Sequence, residues 1–347
     1  AELDPESILA VVPTSGSSGR AKGVALSRRA FEAAAEAHAR HLGWADEDRW
    51  LLTLPLAHVG GLSILTRCLW ARRTVVLAAD RSFEPSEVLR RLERRRVSLL
   101  SAVPTMLRGL MRSGSPPAAL RAVLVGGAAV PAELLREARV AGWPALATYG
   151  LTEACAQVAT QPLNDLEAPE RPVEGAPLLH GVEARLASDG ALALRGPQLL
   201  TGYVGEGLEE GAGAGKDGWF KTGDLATWTA EGRLKILGRR DRVVITGGEN
   251  VQPADVERAL AALPAVAEAC VVGLADERWG QRVAAAVVPS TEQGVRDGAL
   301  DLARVRAELE DRLADFERPR QILIVPSLPR TASGKVDAGA VTRLFET

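Results

Sequence analysis

The sequence lacks the features that would commit it to a membrane, an oxidising compartment or nucleic acid. No stretch approaches the roughly 20 consecutive apolar residues that a membrane-spanning helix needs. The opening Ala1-Glu2-Leu3-Asp4-Pro5-Glu6 lacks the basic-then-apolar plan of a signal peptide. Both absences point to a cytoplasmic protein with no membrane partner. Cysteine is scarce: Cys68, Cys155 and Cys270 lie far apart and form no CxxC pair, which excludes a disulfide framework or a cysteine zinc site. They read as reduced, buried small side chains. No charge of one sign dominates either. Against 42 Lys and Arg stand 44 Asp and Glu, a formal net charge of -2, so no global field draws the chain to nucleic acid. Any anion it binds must be held locally.

What is present is the composition of a folded globular chain, 347 residues long, 46% hydrophobic and 25% charged. Disorder, collagen and coiled coil are excluded, and at roughly 150 residues per domain the length accommodates two domains. Short apolar runs at 50–54, 74–77, 98–103 and 122–125 alternate with amphipathic stretches at 27–41 and 84–96. That alternation predicts an α/β domain with a largely parallel sheet. Between 178 and 205 the texture changes to short strand-like segments, 182–187 and 191–194, around the turn pair Asp189-Gly190, which predicts a small antiparallel subregion. The Gly- and Glu-rich stretch 206–218 reads as a mobile surface loop. From Arg242 onward the order strand 243–246, helix 253–262, strands 268–273 and 282–288, helix 302–313 and strand 321–325 predicts a separate small α+β domain. The basic run Arg90, Arg91, Arg94, Arg95 and Arg96 carries Val88, Leu89 and Leu92 at helical spacing, so it reads as the solvated face of a helix.

After an apolar run at 8–12 comes Pro13-Thr14-Ser15-Gly16-Ser17-Ser18-Gly19-Arg20-Ala21-Lys22-Gly23-Val24, with an amphipathic helix expected from Ser27. Glycines that reach positive φ without steric cost let such a loop aim several backbone N–H groups at one point, and the hydroxyls with Lys22 complete an anion cradle. The glycine spacing does not fit a Walker A loop, and no GxSxG elbow is present. A flexible linker explains the composition but not a lone Lys closing a hydroxyl run between strand and helix.

With four further segments, this loop resembles the signature of the adenylate-forming superfamily, which includes acyl- and aryl-CoA synthetases and peptide-synthetase adenylation domains. The segments are Tyr149-Gly150-Leu151-Thr152-Glu153; Lys221-Thr222-Gly223-Asp224; Gly238-Arg239-Arg240-Asp241 leading into Gly247-Gly248-Glu249-Asn250; and Pro329-Arg330-Thr331-Ala332-Ser333-Gly334-Lys335. The usual loop has Thr at Ser18 and Pro at Ala21, and Ser18 keeps the hydroxyl. The resemblance implies a large α/β nucleotide- and acyl-binding domain over 1–239, a hinge at 240–241 centred on Asp241, and a small mobile α+β domain over 242–347. A substantial region usually precedes the phosphate loop in the family, whereas here that loop begins at Thr14, so the large domain is expected to be shortened.

The resemblance also assigns roles. Thr14, Ser15, Gly16, Ser17, Ser18, Gly19 and Lys22 would hold the phosphates of ATP. Gly127, Ala128 and Ala129 would meet the adenine edge, on which Tyr149, beside Gly150, would stack. Thr152 would meet a phosphate and Glu153 would hold Mg²⁺ with phosphate oxygens. Asp224 would accept from both ribose hydroxyls, a task suited to two acceptor oxygens, and Arg239 would reach the same region. Lys335 would bridge the acid and the attacked phosphate, and Gly247 and Gly248 would line the coenzyme A path after domain rotation. A plain strand-to-helix turn, with the pair at helix-start positions, explains Thr152 and Glu153 taken alone, and a solvent-exposed Lys explains Lys335 taken alone.

The implied reaction is attack of a carboxylate on the α-phosphorus of ATP, giving an acyl-adenylate, followed by transfer to coenzyme A. The segment from Leu54 to Arg67, with Val103-Pro104-Thr105-Met106-Leu107 and Ala154-Cys155-Ala156-Gln157, is most similar to the o-succinylbenzoate-CoA ligases of menaquinone biosynthesis. On that likeness His58, Gly61, Arg67 and Gln157 face the acid, with Arg67 as partner of its second carboxylate, since an unpaired buried anion is costly. Arg67 on a helix exterior is the bland alternative. Another aryl- or acyl-CoA ligase, a stand-alone adenylation enzyme loading a carrier protein, and a non-catalytic nucleotide-binding protein stay open at this point.

Overall fold

The structure, a computed structural model, describes residues 4–15, 21–78, 83–204, 213, 215, 217–291, 298–331 and 335–346. Its contacts group the chain into two units, residues 1–222 with 226–236 and residues 223–225 with 237–347. No helix among the described residues is long and apolar enough to cross a membrane.

The first unit opens with strands β1 (Ile8–Ser15) and β2 (Ala21–Ser27), an antiparallel hairpin that sets Thr14 opposite Lys22 and Ser15 opposite Ala21. This corrects the expected strand-loop-helix order, because β2 stands between the loop and helix α1 (Arg28–Leu42). Gly23 lies in extended strand rather than at positive φ. What it requires is space, since a Cβ there would sit 2.8 Å from Val11 Cγ1. Helix α1 starts where Ser27 caps it, the hydroxyl accepting the Ala30 N–H at 3.2 Å, and stops at Gly43 with φ 66.

Strand β3 (Arg49–Leu52), helix α2 (Val59–Ala71), strand β4 (Thr74–Leu77), helix α3 (Pro85–Arg94), strand β5 (Leu99–Ala102), helix α4 (Pro104–Ser113), strand β6 (Ala122–Val125), helix α5 (Ala132–Val140), and strands β7 (Ala145–Leu151) and β8 (Ala156–Thr160) follow. They build a six-stranded sheet in the order β4-β3-β5-β6-β7-β8, parallel except for the last pair. Pro85 and Pro104 open their helices at positions where a missing N–H is harmless. Val88 and Leu92 of α3 are buried while Arg90, Arg94, Arg95 and Arg96 are exposed, as the solvated-face reading expects.

Leu51, Leu100 and Val123 are wholly buried in the sheet, with Leu107 of α4 and Leu134 of α5 packed in the same cluster. At about 1.5–3 kcal/mol per fully buried apolar side chain, this core fixes the strand ends from which the site loops spring.

Strands β9 (Glu183–Leu186) and β10 (Ala191–Arg195) form the expected hairpin, with Gly190 at φ 80 and the Asp189 carboxylate accepting the Ala191 N–H. Strand β11 (Gly202–Val204) joins the edge of β2, and β12 (Phe220–Trp228) and β13 (Leu234–Arg239) complete a sheet in the order β13-β12-β10-β9. Most of the stretch 206–218, expected to be a mobile loop, lies outside the described residues.

The second unit contains β14 (Val244–Thr246), β15 (Glu249–Val251), α6 (Pro253–Ala261), β16 (Val266–Asp276), β17 (Gly280–Pro289), α7 (Leu302–Glu308), β18 (Gln321–Ile324) and α8 (Ala338–Leu344). Its sheet runs β15-β14-β17-β16, with β18 parallel to β17. Helix α7 is shorter than the expected 302–313, and β15 and α8 were not expected.

Candidate active site

Ligands of open α/β sheets bind beyond the carboxyl ends of the strands, and there stand the 127–129 loop after β6 and the segment from Tyr149 to Glu153 at the end of β7. The loop after β6 presents Gly127, at φ 76, with Ala128 and Ala129, all exposed. It has to start on Gly126, where a Cβ would lie 2.6 Å from the Thr148 carbonyl oxygen.

From the end of β7 come Tyr149, half-buried, and Gly150, which fits only as glycine because a Cβ would stand 1.8 Å from the Ala156 carbonyl oxygen. Thr152 and Glu153 then form a single 3-10 turn between antiparallel β7 and β8, rather than the start of a helix. Cys155 at φ 51 and Ala156 at φ 89 follow. Two consecutive non-glycine residues at positive φ, each costing on the order of 1–3 kcal/mol, mark backbone strain beginning two positions after Glu153.

The Glu153 carboxylate accepts the Tyr203 hydroxyl at 3.1 Å, and its backbone oxygen accepts the Leu200 N–H at 2.8 Å. Lys22 Nζ stands 5.1 Å from the centroid of the same Tyr203 ring. The Thr14 hydroxyl lies 3.5 Å from the Lys22 carbonyl oxygen. Gly16, Ser17, Ser18 and Gly19 lie outside the described residues, as does the side chain of Ser15. Sequence reasoning missed Tyr203. A usable signal was scarcity: the chain has 2 tyrosines, and both belong to this site.

No group of three or more His, Cys, Asp or Glu able to hold a metal occurs among the described residues. A lone Glu153 fits Mg²⁺ that arrives on ATP, because that ion binds through one or two carboxylates plus substrate phosphates.

His58 stands at the N-terminus of α2, half-buried. Gly61 is buried so tightly that a Cβ would be 2.3 Å from the Pro55 carbonyl oxygen, which explains its identity by packing. Arg67, nine residues after His58, is not on a helix exterior but only 2% exposed. It donates through Nη1 to Gln157 Oε1, while its Nε and Nη2 have no acceptor among the described residues. Gln157 is held in turn, its Nε2 donating to the hydroxyls of Thr148 at 3.1 Å and Thr160 at 2.8 Å. Burial lowers the guanidinium pKa to about 10, so it stays cationic at neutral pH. The structure therefore brings together two predicted residues, Arg67 and Gln157, and the buried Arg67 cation has no counter-ion among the described residues.

His38 of α1 joins this cluster unforeseen, with Nδ1 3.3 Å from Gln157 Oε1 and its ring against Trp44 and Trp50. Burial, and then the neighbouring Arg67 charge, hold its pKa well below the usual 6.5. Between the two values the unfolded chain binds a proton that the folded chain refuses. Stability is therefore fully present above the ordinary value and is lost as pH falls toward the folded one, by up to about 1.4 kcal/mol per pH unit. Urea unfolding at about pH 7.5 and 5.5 should show the wild type losing about 1 kcal/mol more than His38→Gln; identical losses would contradict the assignment.

In the second unit Asp224, 9% exposed, has Arg239 Nη1 at 3.5 Å. Arg239 also donates to both Asp241 carboxylate oxygens, at 3.1 and 3.0 Å, and this bond holds the Asp241 pKa below its usual value. Gly247 (φ 60) and Gly248 (φ 88) form the turn between β14 and β15, and a Cβ on Gly247 would meet the Trp279 ring at 2.8 Å. Lys335 is exposed, and its carbonyl accepts the Thr331 N–H at 2.8 Å in a small loop closed by the bridge between Arg330 and Val336. The Arg330–Glu268 ion pair, 2.7 Å, ties that loop to β16. Ala332, Ser333 and Gly334 lie outside the described residues.

The family model "AMP-binding enzyme" matches residues 1–204, and "AMP-binding enzyme C-terminal domain" matches residues 255–335. The 2-succinylbenzoate–CoA ligase of Bacillus licheniformis is 36% identical over 340 residues, covering 94% of this chain and 68% of that protein. The o-succinylbenzoate CoA synthetase of Bacillus subtilis, solved with its acyl-adenylate intermediate, superposes with a TM-score of 0.86 at 34% identity, covering 97% of this chain and 69% of that one. The same enzyme solved with ATP and magnesium ion gives 0.82 at 33%, covering 96% and 69%. The chain thus spans about two thirds of the length of these relatives. The β1–β2 hairpin, the 127–129 loop, the Thr152-Glu153 turn and the segment that carries Lys335 therefore sit in a chain that belongs to the AMP-binding enzyme family.

Proposed function

We propose that this chain is an AMP-forming acid–thiol ligase that adenylates o-succinylbenzoate with ATP and passes the acyl group to coenzyme A, a step of menaquinone biosynthesis. The activities named for its relatives support the reading, and one observation carries the choice of acid. A buried guanidinium without a counter-ion lies on the helix that His58 begins, and an acid with a second carboxylate supplies the missing charge.

A carboxylate is a poor acyl donor because its leaving group would be oxide. In the first half reaction its oxygen forms a bond to the α-phosphorus and pyrophosphate departs. Charge builds on phosphate oxygens, where the Thr14–Lys22 hairpin and Lys335 act as preplaced donors. Magnesium, when bound with ATP, neutralises part of the phosphate charge. Asp224 and Arg239 hold the ribose, and Tyr149 and the 127–129 loop hold the base. In the second half reaction the thiol sulfur of coenzyme A bonds to the acyl carbon, AMP leaves and the thiol proton passes to solvent. Lys335 has no part in that step, and movement about residues 240–241 exchanges it for the Gly247-Gly248 turn.

Asp241→Pro fixes a φ angle in this hinge. It is expected to spare acyl-adenylate formation and slow thioester formation about tenfold or more, roughly the weight of one conformational step. Asp241→Ala, which removes the Arg239 partner but not the freedom, should slow thioester formation no more than adenylate formation, and stopped-flow assay of each half reaction reads the difference. The proposal as a whole is tested by mass spectrometry of the wild-type chain with o-succinylbenzoate, ATP and coenzyme A. The o-succinylbenzoyl thioester and AMP should form together. AMP without thioester would favour an adenylating enzyme that loads another acceptor.

A further inference from the structure

The Lys22, Tyr203 and Glu153 contacts bring three separate segments of the first unit to one aromatic ring. Tyr203 on β11 pairs across from Val24 on β2, so Lys22 is its diagonal neighbour on the same face, within reach of a long side chain. That placement sets the ammonium 5.1 Å from the ring centroid. The hydroxyl on the far end of the ring donates to Glu153 Oε1 at 3.1 Å. Just before β11, the Leu200 N–H grips the Glu153 backbone oxygen at 2.8 Å. The same short segment therefore holds Glu153 by main chain and by side chain, one residue short of the strained Cys155-Ala156 pair.

We propose that Tyr203 is a positioning residue for the Glu153 carboxylate, its hydroxyl fixing Oε1 so that the other oxygen is turned toward the cation carried by ATP. The proposal rests on the reading of Glu153 as the Mg²⁺·ATP carboxylate. A hydrogen bond from a neutral donor to a charged acceptor is among the stronger single contacts a side chain makes. A freely rotating carboxylate would have to be ordered each time the nucleotide binds. The ring supports the hydroxyl from one side, with the Lys22 charge over its face. Tyr203→Phe removes only the hydroxyl and keeps ring, packing and Lys22 contact.

The test is calorimetric titration of ATP into the whole chain, in magnesium chloride and in EDTA. Wild type should bind ATP more tightly with Mg²⁺. Tyr203→Phe should lose about tenfold of that gain, the size expected for one donor to a charged acceptor, with its affinity in EDTA unchanged. Glu153→Gln should lose the gain as well, and adding Tyr203→Phe to it should change nothing more, since residues acting through one group are not additive.

A loss equal in Mg²⁺ and EDTA would show a merely structural role and overturn the proposal, as would additive losses in the double variant. If Glu153→Gln loses the gain and Tyr203→Phe keeps it, the Tyr203 proposal alone falls. If Glu153→Gln keeps the gain, the metal role of Glu153 falls and takes the proposal with it.

Discussion

Lys335→Ala is expected to slow adenylate formation by about 10² to 10³, the usual loss on removing one preplaced donor to a developing oxyanion. Acyl transfer from preformed adenylate to coenzyme A should proceed at the wild-type rate. The split follows from the chemistry of the two steps. The first builds charge on phosphate oxygens, which a compact ammonium with three donors can meet. The second expels AMP and needs no cation at the same place. Lys335 is exposed, and its loop is shaped by main-chain bonds to Thr331 and by the Arg330–Glu268 pair, none of which involve the amine. The variant should therefore fold with stability within about 0.5 kcal/mol of wild type. Single-turnover measurement of each half reaction checks the prediction; equal slowing of both would contradict the role given to the amine.

The second large effect concerns the acid. Arg67→Ala should raise the Michaelis constant for o-succinylbenzoate about 10²-fold, the lower range for breaking a buried charge pair, and change that for plain benzoate little. Gln157→Glu should do the same for a different reason. It places a carboxylate where Gln157 Oε1 now accepts from Arg67, so the guanidinium gains an internal counter-ion and no longer needs one from the ligand. The pairing of the two variants matters, because Arg67→Ala alone could act by leaving a cavity. Equal changes for both acids in both variants would remove Arg67 from acid recognition.

Much of the fold was legible because burial is periodic where one face meets solvent. Val88 and Leu92, one turn apart on α3, disclosed that helix, and the uninterrupted runs of β5 and β6 disclosed buried parallel strands. Strand β2 was hidden because Val24, Ala25 and Leu26 are all wholly buried, which erases alternation, while Gly23 imitates a loop. Helix α2 was obscured by Gly60, Gly61, Ser63 and Thr66, which leave no clean amphipathic stripe.

In the site, residues within contiguous motifs could be named from the sequence, and the structure brings Lys22 and Glu153 to the one Tyr203 ring. Tyr203 and His38 could not be named. Their roles come from partners 50 and 119 residues away, through a strand pairing and a buried amide that no local pattern announces. Arg67 was named, but only the structure distinguished a buried cation from one on a helix exterior.

The most direct measurement is acid-dependent exchange of labelled pyrophosphate into ATP by the wild-type chain without coenzyme A. Adenylation with recognition of a second carboxylate predicts rapid exchange driven by o-succinylbenzoate and exchange about 10²-fold less efficient with benzoate. No exchange with o-succinylbenzoate, or the same efficiency with both acids, would contradict it.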